Sequence, residues 1–371
     1  MATPGPHITP ALFAEWRAPR FGTTNPERLT NPVWEWLVRS ELSAYAAAQQ
    51  MGNGTDECRE PGWSFARFGQ STTMLGDGRR IQIAGEHEDA YDRDFYIYND
   101  VVVHHVDGSV EIFGYPRDVF PPTDFHSATL VGNDIVLVGS LGYPADRLPQ
   151  TTQVAVLDLS TFVMTMIETS GDAPGWIHRH SATFLEGETT IVISRGLIEP
   201  GPAHHAQLRE NGEDWQLDLA TWRWRRLTNR KWRQWEFTRI DRRQNHLWRL
   251  GSLSRFRGVR WAKEHRESMN AMVQTEVDAL RAAYGADPDL DLFAQLYVPA
   301  VPHTALAMVE DELGARRIRV EGTIVRYVET PTSVRVVVEG SLPESTATAL
   351  LKDLRDKLSI LEHTPYESRE L

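Results

Sequence analysis

Between residues 61 and 240 the hydrophobic positions fall in short runs that are separated by Gly, Pro and Asp. Short apolar runs rich in Val and Ile, bounded by turn residues, are typical of β-strands rather than helices. Three of these runs end at a glycine: IQIAG, IVLVG and IVISRG. The pattern therefore predicts a mainly β chain in this region.

The same region contains an internal repeat. One strand pattern occurs as PGWSFARFGQSTTML (61–75), PPTDFHSATLV (121–131) and PGWIHRHSATFL (174–185), and its aligned serines are 56 and 54 residues apart. A second pattern, in which an Asp opens a turn, occurs as VAVLDLSTFVMTMI (154–167) and WQLDLATWRWRRL (215–227). Each repeat predicts about four strands, and so small a sheet buries its faces only by stacking on neighbouring sheets.

This repeat resembles the kelch repeat, which runs from an Arg-x-x-His-Ser strand through a Gly-Gly pair to an Asp turn followed by Trp. The matching residues are Arg67, Ser71, Gly85, His126, Ser127, Gly139, Asp158, His180, Ser181, Gly196, Asp218 and Trp224. Gln70 replaces the first His, and the first Gly of each pair is Ala, Val or Arg. The resemblance covers about residues 61–240 and implies a β-propeller, a fold that serves many functions.

Three segments outside the clear repeats have helical periodicity. Asn31 and Pro32 predict a helix start and Gly52 predicts its end, with an apolar stripe between them. Residues 262–284 and the segment that follows Ser341 have similar stripes. We expect these helices to pack on the propeller, and a groove for a partner helix is the alternative.

The fold class expected from these patterns is all-β: a kelch-like β-propeller of about five blades, closed or partly open, with N-terminal, inserted and C-terminal helices. Three blades are clear and two are degenerate, and residues 236–251 are expected to form a strand pair. The expected domains are an N-terminal arm and helix (1–60), the propeller (61–340) with a helical insertion (262–296), and a C-terminal helix and tail (341–371).

Composition narrows the function classes. The chain has 371 residues, a formal net charge of −12 and 41% hydrophobic residues, which is ordinary for a globular protein. The acidic balance disfavours a chain devoted to nucleic acid. No apolar run is long enough to predict a membrane span, and the N-terminus has no signal-peptide pattern. Cys58 is the only cysteine, so no internal disulfide is possible and a cytoplasmic location is expected.

Residues 222–266 are a basic exception, with fifteen Lys and Arg, three acidic residues and six Trp. Arg beside Trp is typical of single-stranded nucleic-acid binding. However, alternation along a strand puts Trp222 and Trp224 on one face and Arg223 and Arg225 on the other. We expect internal pairing for most of these arginines, and a protein-binding surface or a polyanion site is the alternative.

In a propeller, the loops that lead into the first strand of each blade and leave its second strand line one end of the central funnel. These loops supply the predicted binding residues: Glu86, His87, Glu88, Arg117, Asp124, His126, Arg147, His178 and Arg179. The kelch resemblance implies a structural role for His126 and His180. The acidic stretch 85–100 lacks the central glycine and closing glutamate of a calcium loop, so neither a metal nor a cofactor is expected.

The leading functional hypothesis is a module that binds another protein and scaffolds or neutralises it. One alternative is an enzyme, a hydrolase, isomerase or lyase acting on a carbohydrate-like small molecule in the funnel. A second alternative, less favoured, is polyanion or nucleic-acid binding through residues 222–266. No membrane partner is expected.

Overall fold

The computed structural model describes residues 8–52, 61–87, 95–148, 150–199, 209–258, 266–307 and 315–371. In these residues most of the regular structure is β-strand, arranged in several largely antiparallel sheets, and helices occur in both halves of the chain. The mainly β character is therefore confirmed. The chain divides into two compact units, Met1–Asn229 and Arg230–Leu371.

The described part of the N-terminal unit opens with helices α1 (Pro10–Trp16), α2 (Pro32–Ser40) and α3 (Ala44–Gln50). The Asn31 side-chain oxygen accepts hydrogen bonds from the N–H groups of Val33 and Trp34, each at 3.0 Å, which confirms the predicted helix start. The single helix predicted up to Gly52 is wrong. Glu41 adopts a left-handed φ of 54° that ends α2, and Ser43 caps α3.

The strands of this unit, in chain order, are β1 (Glu27–Arg28), β2 (Ser71–Met74), β3 (Arg80–Ile83), β4 (Glu86–His87), β5 (Tyr96–Ile97), β6 (Val101–His104), β7 (Val110–Gly114), β8 (Ser127–Val131), β9 (Asp134–Val138), β10 (Val154–Asp158), β11 (Met164–Met166), β12 (Ser170–Gly171), β13 (Trp176–His178), β14 (Ser181–Leu185), β15 (Thr190–Ser194), β16 (Leu197–Glu199), β17 (Arg209–Glu210), β18 (Trp215–Asp218) and β19 (Arg223–Arg226). They form three main sheets, ordered β1-β7-β6-β3-β2, β11-β10-β9-β8 and β12-β19-β18-β15-β14. Each contains a four-stranded antiparallel meander, as the repeat predicts.

The three sheets pack as successive layers. Helix α2 contributes Trp34 and Leu37 to a core that includes Val102 and Ile112 of the first sheet. A second core joins the first sheet to the second, and a third core joins the second sheet to the third. The run 135–138 supplies alternate residues to these two cores, because successive side chains of a strand point to opposite faces. Burial on both faces explains why this strand is continuously apolar.

One hydrogen bond recurs between adjacent sheets at matching positions. The His126 Nε2 atom lies 2.8 Å from the Ser71 hydroxyl, and the His180 Nε2 atom lies 2.8 Å from the Ser127 hydroxyl. Each bond joins the residue before the first strand of one meander to the first strand of the preceding meander. The structural role implied for these histidines is therefore borne out by their geometry.

The outer strand of each meander is partly covered, which hinders pairing with another chain at that edge. Strand β1 pairs with β7, and β12 pairs in parallel with β19. At β11 the edge is partly covered by the side chain of Asn25. The Asn25 amide donates to the Met164 carbonyl at 2.7 Å and accepts from the Met164 N–H at 2.9 Å.

Gly139, which follows β9, offers a test of how tightly the end of the second sheet approaches strand β13. It has a φ of +74°, and a Cβ there would lie 2.2 Å from the Ile177 carbonyl oxygen. We expect Gly139→Ala to lower the free energy of unfolding by about 2–4 kcal/mol, from left-handed strain plus overpacking. Gly132→Ala, at φ +60° with open space around it, is the matched control and should cost only about 1–2 kcal/mol. Equal losses in urea unfolding would contradict this account.

The C-terminal unit is built on one six-stranded sheet. Its strands are β20 (Arg233–Arg239), β21 (Thr304–Ala305), β22 (Ala315–Val320), β23 (Thr323–Glu329), β24 (Ser333–Glu339) and β25 (Tyr366–Glu370), in the order β21-β22-β23-β24-β20-β25. Its helices are α4 (Leu247–Gly258), α5 (Arg266–Tyr284), α6 (Leu290–Ala294) and α7 (Glu344–Leu361). One face of this sheet and the helices share a single apolar core.

This architecture corrects three expectations for residues beyond 230. The strands pair into one sheet rather than into two degenerate four-stranded blades. The strand pair predicted at 236–251 is wrong, because β20 ends at Arg239 and α4 begins at Leu247. The predicted C-terminal tail contains β25, which pairs with β20. Among the described helices none is long and apolar enough to cross a membrane.

Candidate functional site

One edge of the three meanders carries the long connections. The loop between the second and third strands of a meander and the loop that leads into the next meander lie at the same strand ends, because the strands run antiparallel. We call the described residues of these connections the loop rim: 61–70, 84–87, 95–100, 115–126, 139–148, 150–153, 168–180, 195–199 and 209–214. The short hairpin turns lie at the opposite edge.

The buried Asp124 side chain holds part of the loop rim in place. Its side chain is fully buried, and one carboxylate oxygen accepts a 2.6 Å hydrogen bond from the Gly142 N–H. Its carbonyl accepts from the Leu141 N–H at 3.0 Å. The other carboxylate oxygen has no hydrogen-bond partner within the part of the chain that the structure describes. Asp124 therefore holds the loop after β9 in place rather than facing solvent.

A charged bridge joins the rim loops of the second and third sheets. Arg147 donates to the Leu141 and Gly142 carbonyls and forms a 3.1 Å ion pair with Glu199. Glu199 also lies 3.5 Å from the Nε2 atom of His178. His178 is only 2% exposed. This bridge brings two predicted site residues together around a carboxylate that sequence reasoning missed.

Two predicted arginines are exposed and lie against aromatic rings. The Arg179 guanidinium is 3.6 Å from the centroid of the Phe125 ring. The Arg117 guanidinium is 5.3 Å from that of the Tyr143 ring, and Arg117 also pairs with Asp146. Cation–π contacts of this kind orient an arginine at a surface and contribute about 0.5–1 kcal/mol when exposed.

Further aromatic side chains extend this surface. Phe95 is 43% exposed and packs edge-on against Tyr143, with ring centroids 5.8 Å apart. Phe68 is 59% exposed. The carbonyl of its neighbour Gly69 accepts from the Phe125 N–H at 2.8 Å. We call the set Phe68, Phe95, Arg117, Phe125, Tyr143 and Arg179 the aromatic–arginine patch.

Glu86 and His87 lie on β4, each only 5% exposed, and β4 pairs with β5. The Phe68 and Glu86 backbones exchange hydrogen bonds at 2.8 and 2.9 Å. These two predicted binding side chains therefore belong to the interior of the rim. Glu88 lies outside the described residues.

Burial holds His126 and His180 in the neutral form. Loss of hydration lowers the pKa of His126 to about 4 and that of His180 to about 3. His178 and His180 do not share a strand face, because Arg179 between them has a φ of +55°. No group of three or more potential metal-ligating side chains occurs in the described ranges.

Several arginines of the basic segment 222–266 are paired within their own units. In the N-terminal unit Arg226 lies 3.5 Å from Asp172, beside an open groove of about 560 Å³ that Arg223 and Arg225 also line. In the C-terminal unit Arg233 pairs with two carboxylates and Arg239 with two more, a set comprising Glu344, Glu370, Asp241 and Glu362. The expectation of internal pairing is confirmed for these residues.

Sequence reasoning missed Glu199 and the aromatic residues of the patch. Glu199 lies three positions after Gly196, whereas Glu86 comes directly after Gly85, so the repeat does not mark the position of Glu199. Phe68, Phe95, Phe125 and Tyr143 carry no sequence signal of a site either, because an aromatic residue beside a strand is most often buried. Their exposure appears only in three dimensions.

No family model matches this chain, and no curated protein matches it in sequence. The chemistry of the loop rim is therefore inferred from its geometry.

Proposed function

We propose that residues 61–229 form three blades of a kelch-like β-propeller. The repeated His–Ser hydrogen bond between neighbouring meanders supports this proposal. So do the two matched turns, in which Asp158 and Asp218 each accept hydrogen bonds from backbone N–H groups two and three residues later. Repeating blades of this kind leave loops on one edge free to vary, which suits recognition.

We propose that this protein is a cytoplasmic binding module that recognises another protein through the aromatic–arginine patch. The observation that carries the proposal is the exposure of Phe68 and Phe95, 59% and 43%, beside arginines that lie against aromatic rings. Aromatic residues and Arg dominate the binding energy of protein interfaces. The surrounding loops are held by buried hydrogen bonds, so the patch is preorganised and loses little entropy on binding.

The charges of the patch indicate what the partner presents. Arg179 forms no ion pair with any described residue, whereas Arg117 has Asp146 as a partner. An exposed guanidinium stacked on a ring favours a carboxylate that approaches in its plane. The partner is therefore a protein with an acidic side chain next to an apolar one, and the module scaffolds or neutralises it.

Affinity capture with matched variants tests this function. We expect Phe68→Ser combined with Arg179→Ala to reduce recovery of the partner from host cells by at least about tenfold, the effect of losing hot-spot residues. Met74→Ser combined with Arg79→Ala changes the same residue classes at the opposite edge, where Met74 is 62% exposed, and should leave recovery unchanged. Quantitative mass spectrometry of the captured proteins measures both.

Two outcomes would contradict the proposal. One is equal recovery of the partner by the patch variant and the unmodified chain, with both folded by circular dichroism. The other is repeated failure of the unmodified chain to retain any protein from host cells.

An acid/base enzyme acting on a carbohydrate-like molecule is the second candidate. It is favoured by the 3.5 Å approach of Glu199 to His178, with Arg147 on the same carboxylate. A general acid or base must come within hydrogen-bond reach of its substrate. At 2% exposure His178 is closed to a substrate in this conformation, so the geometry supports the binding module better.

A further inference from the structure

The C-terminal unit contains a cavity that has no part in the proposed protein recognition. It lies between the helix-covered face of the sheet and helices α4 and α6, and its volume is about 380 Å³. This volume is within the range of small-molecule pockets. All of its described lining residues belong to the C-terminal unit.

One wall of the cavity is apolar. Phe293 comes from α6, Val298 from the turn after it, and Leu306 and Ile318 from the neighbouring sheet edge. Val298 is 40% exposed, so the cavity opens towards solvent beside this residue. An apolar wall of this size accepts an aryl or branched alkyl group and stabilises it by removing apolar surface from water.

The other end of the cavity is polar. The Tyr297 hydroxyl donates a 2.8 Å hydrogen bond to Glu329, and the Tyr297 ring packs 5.0 Å from the ring of Tyr327. Loss of hydration raises the pKa of Glu329.

Arg316 also lies at the polar end of the cavity. It lines the cavity, is exposed, and forms no ion pair with any described residue, although its charge acts on Glu329. Arg316 and Ile318 share the helix-covered face of β22, because alternate residues of a strand point the same way. The guanidinium is planar and matches a carboxylate with two parallel hydrogen bonds.

We propose that this cavity binds a small amphipathic carboxylic acid, with its carboxylate on Arg316 and its aryl or branched alkyl group against Phe293, Val298 and Ile318. Arg317 also lines the cavity. The placement of guanidinium groups beside an apolar wall favours this class of ligand. A neutral amide of the same shape would leave the Arg316 charge unpaired. It would also lack the charge-assisted hydrogen bonds that a carboxylate forms.

Isothermal titration calorimetry with the full chain tests the site, using phenylacetate as the probe and phenylacetamide as its neutral counterpart. We expect saturable phenylacetate binding and at least tenfold weaker binding of phenylacetamide. Arg316→Gln should weaken phenylacetate binding by at least tenfold. Arg319→Gln, an exposed arginine on the other face of the same strand, is the matched control and should leave binding unchanged.

A variant that fills the cavity separates this site from any other arginine surface. Val298→Trp places a large side chain at the exposed mouth and is expected to abolish binding while leaving the fold intact by circular dichroism. The proposal is overturned if phenylacetate does not bind, if the acid and the amide bind equally, or if Arg316→Gln and Arg319→Gln have the same effect.

Discussion

Replacing Arg67 with methionine is expected to lower the free energy of unfolding of the N-terminal unit by about 3–5 kcal/mol, because it leaves a buried carboxylate without its cation. The Arg67 side chain is 0% exposed and pairs with Asp100, which is 6% exposed. Asp100 also accepts a 2.8 Å hydrogen bond from the Trp63 indole. The Arg67 guanidinium lies 3.6 Å from the centroid of the Tyr98 ring, so packing is lost together with the charge.

An exposed ion pair in the same sheet is the control for this loss. Arg79 pairs with Asp77 at 2.7 Å, with side chains 26% and 53% exposed. Arg79→Met should cost no more than about 1 kcal/mol, since solvent screens such a pair. Urea unfolding followed by tryptophan fluorescence measures both variants. A loss of less than about 1 kcal/mol for Arg67→Met would show that Asp100 finds other stabilisation.

Acid should destabilise the N-terminal unit strongly between pH 6.5 and pH 4.5, before most carboxylates are protonated. The folded-state pKa values of His126 and His180 are about 4 and about 3, below the ordinary 6.5, because burial disfavours the charged ring. In this interval the unfolded chain binds more protons than the folded one, so stability falls as pH falls. The two residues together account for a loss of about 5 kcal/mol over this range.

Two sets of variants distinguish the effect of histidine titration on stability from the effect of the histidine–serine hydrogen bond. His126→Gln combined with His180→Gln removes both titrating rings and should flatten the dependence of unfolding free energy on pH in this interval. Some slope remains, because burial and the neighbouring Arg80 lower the pKa of His104 to about 4. Ser71→Ala removes one hydroxyl partner but keeps the ring, so it should lower stability and retain the slope. An unchanged slope in the double glutamine variant would refute the assignment.

Local sequence patterns were sufficient to predict many of the helix starts and turns. Asn31 is the predicted helix cap, and the turns at Asp158 and Asp218 are closed by the hydrogen bonds that Asp favours. The repeat identified His126 and Ser71 as residues of the same strand pattern, although they are far apart in the chain. These features depend on neighbouring residues or on a repeated unit, both of which are visible in one dimension.

The candidate site was less predictable. Of the predicted binding residues, Arg117 and Arg179 are exposed on the rim, whereas Asp124 and His178 are buried within it. A polar residue in a loop has the same sequence signature whether it faces solvent or anchors the loop. Only the positions of its partners distinguish these cases, and those partners come from other loops.

The sequence by itself determined the mainly β character, the repeat of about 55 residues and the caps and turns that bound its elements, because these follow from local backbone preferences and side-chain periodicity. Only the tertiary structure decided that the strands beyond Arg230 pair into one six-stranded sheet. It also decided which polar side chains are buried and where the aromatic–arginine patch and the cavity beside Arg316 form. Strand pairing and burial depend on contacts between distant residues, and alternation along a strand shows which face a side chain takes but not what covers that face.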